Sequence, residues 1–171
     1  MYVADACTII DLHAVGLLRL WLEVAPSSVS DLVYTELVRE RSTNAVVVEA
    51  VVELVICQQL VRQELTPEQL VEISALAAAH PKLSDEDLSC FVLASTDDLI
   101  VLTGDRRLRE LSVRREVRVH GTLYILDQLV GLGRLVQTEA REKLQTLVEL
   151  GCRLPPAEVA ARRRRWGSKP N

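Results

Sequence analysis

The feature that most limits the fold of this chain is a set of short apolar runs that do not alternate with polar residues. A strand with one solvent-facing side alternates apolar and polar residues, whereas a strand buried on both faces is apolar throughout. The clearest runs are Tyr2 to Ala4, Leu99 to Thr103 and Val117 to His120, and weaker candidates are Val24 to Ser30 and Leu54 to Leu60. These runs predict strands in the interior of a parallel sheet.

Helical patterns occupy the segments between these runs. We expect two helices within Thr8 to Glu23, and further helices over Asp31 to Arg41, Thr43 to Glu53, Pro67 to Ala79, Asp85 to Ser95, Arg106 to Arg114, Thr122 to Leu132 and Thr138 to Leu150. Strands that alternate with helices form parallel sheets covered on both faces. The expected fold class is therefore α/β, a three-layer α/β/α sandwich of Rossmann-like type with a central, mostly parallel sheet.

The length of 171 residues suits one domain with its own core. We assign residues 1–150 to this domain and residues 151–171 to a basic C-terminal tail or short helix. The last ten residues, RRRRWGSKPN, contain five basic groups and no acid, and the preceding 161 residues carry a net charge of −9. Such a run is typical of a solvated or disordered end, and it also suits contact with nucleic-acid phosphates.

Composition and cysteine spacing exclude several classes of protein. The N-terminus has no basic region ahead of an apolar stretch, and no apolar run reaches the roughly 18 residues of a membrane span. We therefore expect a cytoplasmic protein without membrane contact. The four cysteines form no CxxC pair and have no histidine at metal-ligand spacing, which argues against a zinc site or a disulfide framework.

Four carboxylates occupy positions that attract attention. Asp5 and Asp105 each follow a predicted buried strand, and the carboxyl ends of parallel strands meet at one edge of a sheet, where ligands bind. Glu36 shares the inward face of its predicted helix with Leu32 and Val33. The fourth acid, Asp87, stands in the first turn of a helix.

Each acid also has a purely structural interpretation. Asp87 follows Ser84 at capping-box spacing, Asp5 and Asp105 suit helix N-caps, and Glu36 suits a helix surface. As a set, however, clustered carboxylates repel one another unless a cation neutralises them. Oxygen ligands without histidine or cysteine favour Mg²⁺ or Mn²⁺, ions that assist phosphodiester hydrolysis.

These residues and their surroundings resemble the PIN-domain family of VapC-type toxin ribonucleases. The similar stretches are VADACTIIDLHAVGLLRLWLEV, SVSDLVYTEL, DLSCFVLASTDDLIVLTGDRRLREL and REVRVHGTLYILDQLVGLGRL, so the resemblance covers residues 1 to about 135. It implies a Rossmann-like sandwich and a divalent-metal-dependent endoribonuclease acting on RNA. It also implies a cognate antitoxin and a homodimer as partners.

The resemblance implies roles for individual residues. The metal-binding, catalytic acids would be Asp5, Glu36, Asp87 and Asp105. Thr103 matches the family's Thr-x-Asp and would supply a hydroxyl near the metal, and an ordinary strand-end threonine is the alternative interpretation. Cys7 departs from the family, which usually has Ser, Thr or Asn there, and this affects hydrogen bonding around the metal ligands.

Neighbouring charged residues have weaker assignments. Arg106 and Arg107 follow the last acid and are candidate RNA phosphate contacts, with a solvated helix start as the alternative. Glu86, beside Asp87, is a further candidate for the site, but it is rotated by half a helical turn from Asp87, and we expect it to be solvated. Asp11 is expected on a helix surface, six positions after the strand-end acid.

Two other functions compete with the nuclease. A catalytically inactive PIN-like module would act as a binding or regulatory partner, although retention of all four acids argues against it. A phosphotransferase of the haloacid-dehalogenase type also places an acid after its first strand, but that class requires a second Asp at the position of Cys7.

Overall fold

The computed structural model describes residues 1–39 and 44–167, and within them five strands form one parallel sheet. The strands are β1 (Tyr2–Ala4), β2 (Ser27–Ser30), β3 (Leu60–Gln63), β4 (Ile100–Leu102) and β5 (Val119–His120). Their order across the sheet is β3-β2-β1-β4-β5. Val3, Val29 and Val101 are fully buried, as strands covered on both faces require.

Helices form most of the remaining described chain. They are α1 (Ala6–Ala14), α2 (Leu18–Val24), α3 (Asp31–Arg39), α4 (Ala45–Ile56), α5 (Pro67–Ala79), α6 (Asp85–Asp97), α7 (Arg106–Arg114), α8 (Thr122–Gly131), α9 (Gln137–Glu149) and α10 (Pro156–Arg165). None of them is long and apolar enough to cross a bilayer. The predicted α/β/α sandwich with a central parallel sheet is confirmed.

The predicted strand over Leu54 to Leu60 is wrong. Its first three residues belong to α4, and β3 begins where the prediction ends. The reason lies in the burial pattern of α4, in which Val47, Val51 and Leu54 are buried at helical spacing. A left-handed residue, Gln58, then separates the helix from the strand.

Two predicted helix boundaries, Arg41 and Thr43, lie outside the described residues. At the C-terminus, residues 156–165 of the predicted tail or short helix form α10. Val159 and Trp166 are buried, so this segment lies against the rest of the fold. Residues 168–171 are outside the described chain, and the division at residue 150 remains a prediction.

The sheet register brings two strand ends together. Strand β1 lies between β2 and β4, and Ala4 pairs with Leu102. The amide of Asp5 donates to the carbonyl oxygen of Leu102 at 3.0 Å. The segments that follow β1 and β4 therefore leave the sheet side by side at its carboxyl edge.

Candidate active site

The four predicted acids line one cavity of about 350 Å³ at this edge of the sheet, which we call the acidic cavity. They come from the end of β1, from α3, from the first turn of α6 and from the cap of α7. The structure thus brings together Asp5, Glu36, Asp87 and Asp105.

Asp5 is the most buried of these acids, with 4% of its surface exposed. Its Oδ1 accepts the backbone N–H of Thr8 at 2.7 Å and caps α1, while its Oδ2 accepts the Thr103 hydroxyl at 2.5 Å. Burial raises the pKa of Asp5, and these hydrogen bonds oppose that rise. The capping role and a place in the cavity therefore coexist in one side chain.

Thr103 links two of the acids. While its hydroxyl donates to Asp5, its Oγ1 accepts the backbone N–H of Asp105 at 2.9 Å. Asp105 Oδ1 in turn accepts the N–H groups of Arg107 and Leu108 at 2.7 and 3.0 Å, which fixes this carboxylate as the cap of α7. The strand end thus orients both carboxylates.

Asp87 is held by the predicted capping box. Its backbone N–H donates to Ser84 Oγ at 3.1 Å, and its Oδ2 accepts the Ser84 N–H at 3.4 Å. Burial, followed by the charges of Asp5 and Asp105, raises the pKa of Asp87 to about 6. The carboxylates are therefore close enough to repel one another.

Glu36 and Cys7 complete the predicted set. Glu36 is half-buried on α3, one turn after Val33, and both residues line the cavity. Burial and the charges of Asp5, Asp11, Glu36 and Asp87 raise the pKa of Cys7 to about 11. The Cys7 thiol therefore stays protonated at neutral pH, and its effect on the hydrogen bonding around the metal ligands remains a prediction.

Asp11 and Glu86, expected on helix surfaces, are half-buried and also line the acidic cavity. Burial raises the pKa of Asp11, whose Oδ1 accepts the Cys152 thiol at 3.0 Å. A signal was present in the sequence: Asp11 is four residues after Cys7, on the same face of α1.

The connection between α9 and α10 forms another wall of the acidic cavity. Its lining residues are Leu150, Gly151, Cys152 and Arg153. Arg153 Nη1 lies 3.4 Å from Asp105 Oδ2. These residues follow the stretch in which sequence motifs are recognisable, and no local pattern places them at the acids.

Arg106 and Arg107 do not line the acidic cavity. Both are exposed at the start of α7 and line a larger adjacent cavity. Arg106 Nε donates to Glu110 Oε1 at 2.7 Å, as expected for a solvated helix start. Their contact with RNA remains a prediction.

The donor chemistry of the acidic cavity fits a hard divalent cation, because its acids supply carboxylate oxygens and repel one another without a neutralising ion. Within residues 1–39 and 44–167, however, no three carboxylate, thiol or imidazole groups are arranged as a ready ligand set for one ion. The carboxylates would therefore have to turn toward an ion to bind it together.

A sequence model of the PIN domain matches residues 1–168 of this chain. The match continues past residue 135 and takes in α9, α10 and their connection. No curated protein matches the chain.

Proposed function

Because the chain belongs to the PIN-domain family, whose fold is of the nuclease type, we propose that it is a divalent-metal-dependent endoribonuclease that hydrolyses RNA phosphodiesters. The observation that carries the proposal is the placement of four carboxylates from four separate elements in one cavity. Helix capping alone does not require carboxylates from four elements to share one cavity, where the charges of Asp5 and Asp105 disfavour ionisation of Asp87.

The residues that would hold Mg²⁺ or Mn²⁺ are Asp5, Glu36, Asp87 and Asp105. The bound ion would polarise the phosphodiester and lower the pKa of the attacking water. Thr103 would keep one Asp5 oxygen oriented, since it donates to Oδ2 from a fully buried position. Asp105 Oδ2 takes no part in the helix cap, because Oδ1 accepts both N–H groups of the first turn of α7, and it lies 3.4 Å from Arg153 Nη1.

We further propose the role of a toxin in a toxin–antitoxin pair, with a cognate antitoxin and a homodimer as assemblies. The family membership and the motifs around the four acids support this assignment. We expect an adjacent small gene that encodes a DNA-binding protein. Its product should suppress the RNA cleavage when the two proteins are purified together. A neighbourhood without such a gene would argue for a ribonuclease that works outside a toxin pair.

The test of the activity is an RNA-cleavage assay with Mn²⁺, Mg²⁺ or EDTA. We expect wild-type protein to cut single-stranded RNA with either metal and to be inactive in EDTA. Asp5→Asn keeps the size of the side chain and removes its charge, and it should abolish cleavage. If wild type and Asp5→Asn leave structured and unstructured RNA equally intact with every metal, the proposal fails.

One observation favours the alternative of an inactive binding module. Asp5, Asp87 and Asp105 each accept a backbone N–H at the start of a helix, so each has a structural role without any metal. Under that alternative, Asp5→Asn lowers stability but changes neither metal binding nor RNA integrity.

A further inference from the structure

A second cavity of about 1120 Å³ adjoins the acidic cavity, and we call it the arginine groove. The two share Asp11, Gly104, Asp105 and Arg153 as walls. Five arginines line the groove: Arg106, Arg107, Arg109, Arg153 and Arg162. Four acids, Asp11, Asp105, Glu110 and Glu158, line the same groove, so its attraction for a polyanion depends on the arginines whose charge these acids do not neutralise.

The arginines differ in how far their charges are already neutralised. Arg106 pairs with Glu110, and Arg162 pairs with Asp127 and with Glu158. Arg109 forms no ion pair with a carboxylate of the described residues, and its Nη2 donates to the carbonyl oxygen of Thr103 at 3.1 Å.

Arg153 is another groove arginine whose charge is only partly neutralised. It makes one long contact of 3.4 Å with Asp105 and has 81% of its side chain exposed. Exposure leaves its guanidinium free to turn from Asp105 toward a ligand. Arg107 is also exposed and forms no ion pair among the described residues. Of the five arginines, however, Arg109 contacts the strand end at Thr103 and Arg153 lines both cavities, so these two connect the groove to the acids.

The absence of a side chain at Gly121 leaves space for the Arg109 guanidinium. A Cβ on Gly121 would lie 2.7 Å from Arg109 Nη2 and 3.2 Å from the carbonyl oxygen of Thr103. The backbone of Gly121 is extended, so close approach rather than conformation calls for glycine here. The half-buried Arg109 guanidinium is attracted by the charge of Asp5 but forms no ion pair among the described residues, so part of its desolvation cost remains for a bound anion to offset.

The start of α8 faces the same groove. Its cap residue, Gly121, has no side chain to accept the first backbone N–H groups, and the next two residues, Thr122 and Leu123, line the groove. Uncapped N–H groups and the helix dipole favour an anion. They add to Arg109, which lies against the same glycine.

Aromatic surface completes the groove. The rings of His120 and Tyr124 stack with centroids 3.8 Å apart and planes within 8°, and both residues line the cavity. The Tyr124 hydroxyl is hydrogen-bonded to the Tyr2 hydroxyl at 3.0 Å, which fixes the stack. Nucleobases stack on such platforms beside basic groups that hold the backbone.

Building on the proposed RNA cleavage, we propose that the arginine groove is a nucleotide-binding subsite for the RNA strand. Arg109, Arg153 and the start of α8 hold a backbone phosphate that neighbours the scissile one. The stack of His120 on Tyr124 holds the base of that nucleotide. The groove thus positions the nucleotide next to the cut and directs how the strand enters the acidic cavity.

The test measures binding in EDTA, so that cleavage plays no part. A fluorescein-labelled, single-stranded RNA of eight nucleotides is titrated with full-length protein and followed by anisotropy. Arg109→Gln and Arg153→Gln should each weaken binding at least about fivefold and make the salt dependence shallower by about one ion. Arg115→Gln, at the exposed far end of α7, is the matched control and should stay within about twofold of wild type.

A second pair of variants tests the close packing of Arg109 against Gly121 and the stack of His120 on Tyr124. Gly121→Ala should displace the Arg109 guanidinium and reproduce the loss seen with Arg109→Gln. His120→Ala should weaken binding about tenfold, the loss typical of one base stack. It should also remove the fluorescence quenching of a 2-aminopurine base placed in the RNA. Circular dichroism verifies that each variant is folded before its affinity is compared.

The outcomes separate this proposal from the proposed function. If the protein cuts no RNA but the arginine variants still lose affinity, the subsite stands and the nuclease assignment falls. If the protein cuts RNA while folded Arg109→Gln, Arg153→Gln and His120→Ala bind like wild type, the subsite is wrong.

Discussion

At the residue scale, the acids of the cavity combine structural and chemical roles. Asp5 uses Oδ1 to cap α1 and Oδ2 to receive the Thr103 hydroxyl. Asp105 uses Oδ1 to cap α7, and Asp87 completes the capping box of α6. A backbone N–H thus holds one oxygen of each of these three carboxylates, and bringing them onto one ion would require the side chains to turn from these positions.

The raised pKa of Asp87 predicts a specific dependence of stability on pH. The pKa is about 6 in the folded protein against 3.8 for the unperturbed group. Between these values the folded state binds more protons than the unfolded state, so stability falls as pH rises through this window. The destabilisation is absent below the lower pKa and complete above the higher one.

Asp87→Asn removes this charge and keeps an oxygen for the Ser84 N–H. In EDTA, the variant should match wild type near pH 4 and exceed its free energy of unfolding by on the order of 1 kcal/mol at pH 7, after allowance for partial exposure. Urea unfolding at several pH values measures the difference. A stability gap that stays constant with pH would contradict the assigned repulsion.

At the element scale, the C-terminal helix is part of the packed structure. Trp166, just after α10, is 3% exposed, and Val159 on the helix is also buried. Arg162 on α10 donates to Asp127 of α8 at 3.0 Å. The connection leading into α10 carries Arg153, so the position of this helix determines the shape of both cavities.

Removal of the Trp166 side chain tests this packing. Trp166→Ala should lower the free energy of unfolding by about 3 kcal/mol or more, the usual cost of deleting a buried indole. Val136→Ala, at an exposed position before α9, is the control and should change it by less than about 0.5 kcal/mol. Equal urea midpoints for the two variants would mean that the segment is a solvated tail.

The secondary structure could be predicted where the local sequence fits only one type of element. The apolar run at Tyr2–Ala4 and the capping box of α6 are local, and both formed as expected. The short apolar stretch at the end of α4 fits both a strand pattern and a helix pattern. It is helical in the structure, where the buried residues of α4 recur at helical spacing.

At the scale of the whole molecule, strand order explains why the sequence could predict the meeting of acids. Asp5 and Asp105 are far apart in the chain, but the strands that precede them are neighbours in the sheet. The carboxyl ends of parallel strands lie at the same edge, so the two acids lie close together. The positions of Arg153 and Cys152 do not follow from strand order, because neither residue ends a strand. Their place at the cavity depends on how α9 and α10 pack, which local patterns do not encode.

The central claim is that the acidic cavity performs metal-dependent hydrolysis, and two neighbouring acids of α6 test it directly. Asp87 lines the cavity, whereas Asp85, in the same first turn, is exposed and does not. The measurement is the rate of RNA cleavage as a function of Mn²⁺ concentration for Asp87→Asn and Asp85→Asn. We predict that Asp87→Asn loses at least about 100-fold, more than removal of an outer partner of a ligand typically costs, while Asp85→Asn stays within about twofold of wild type. Equal rates for the two variants would contradict the account.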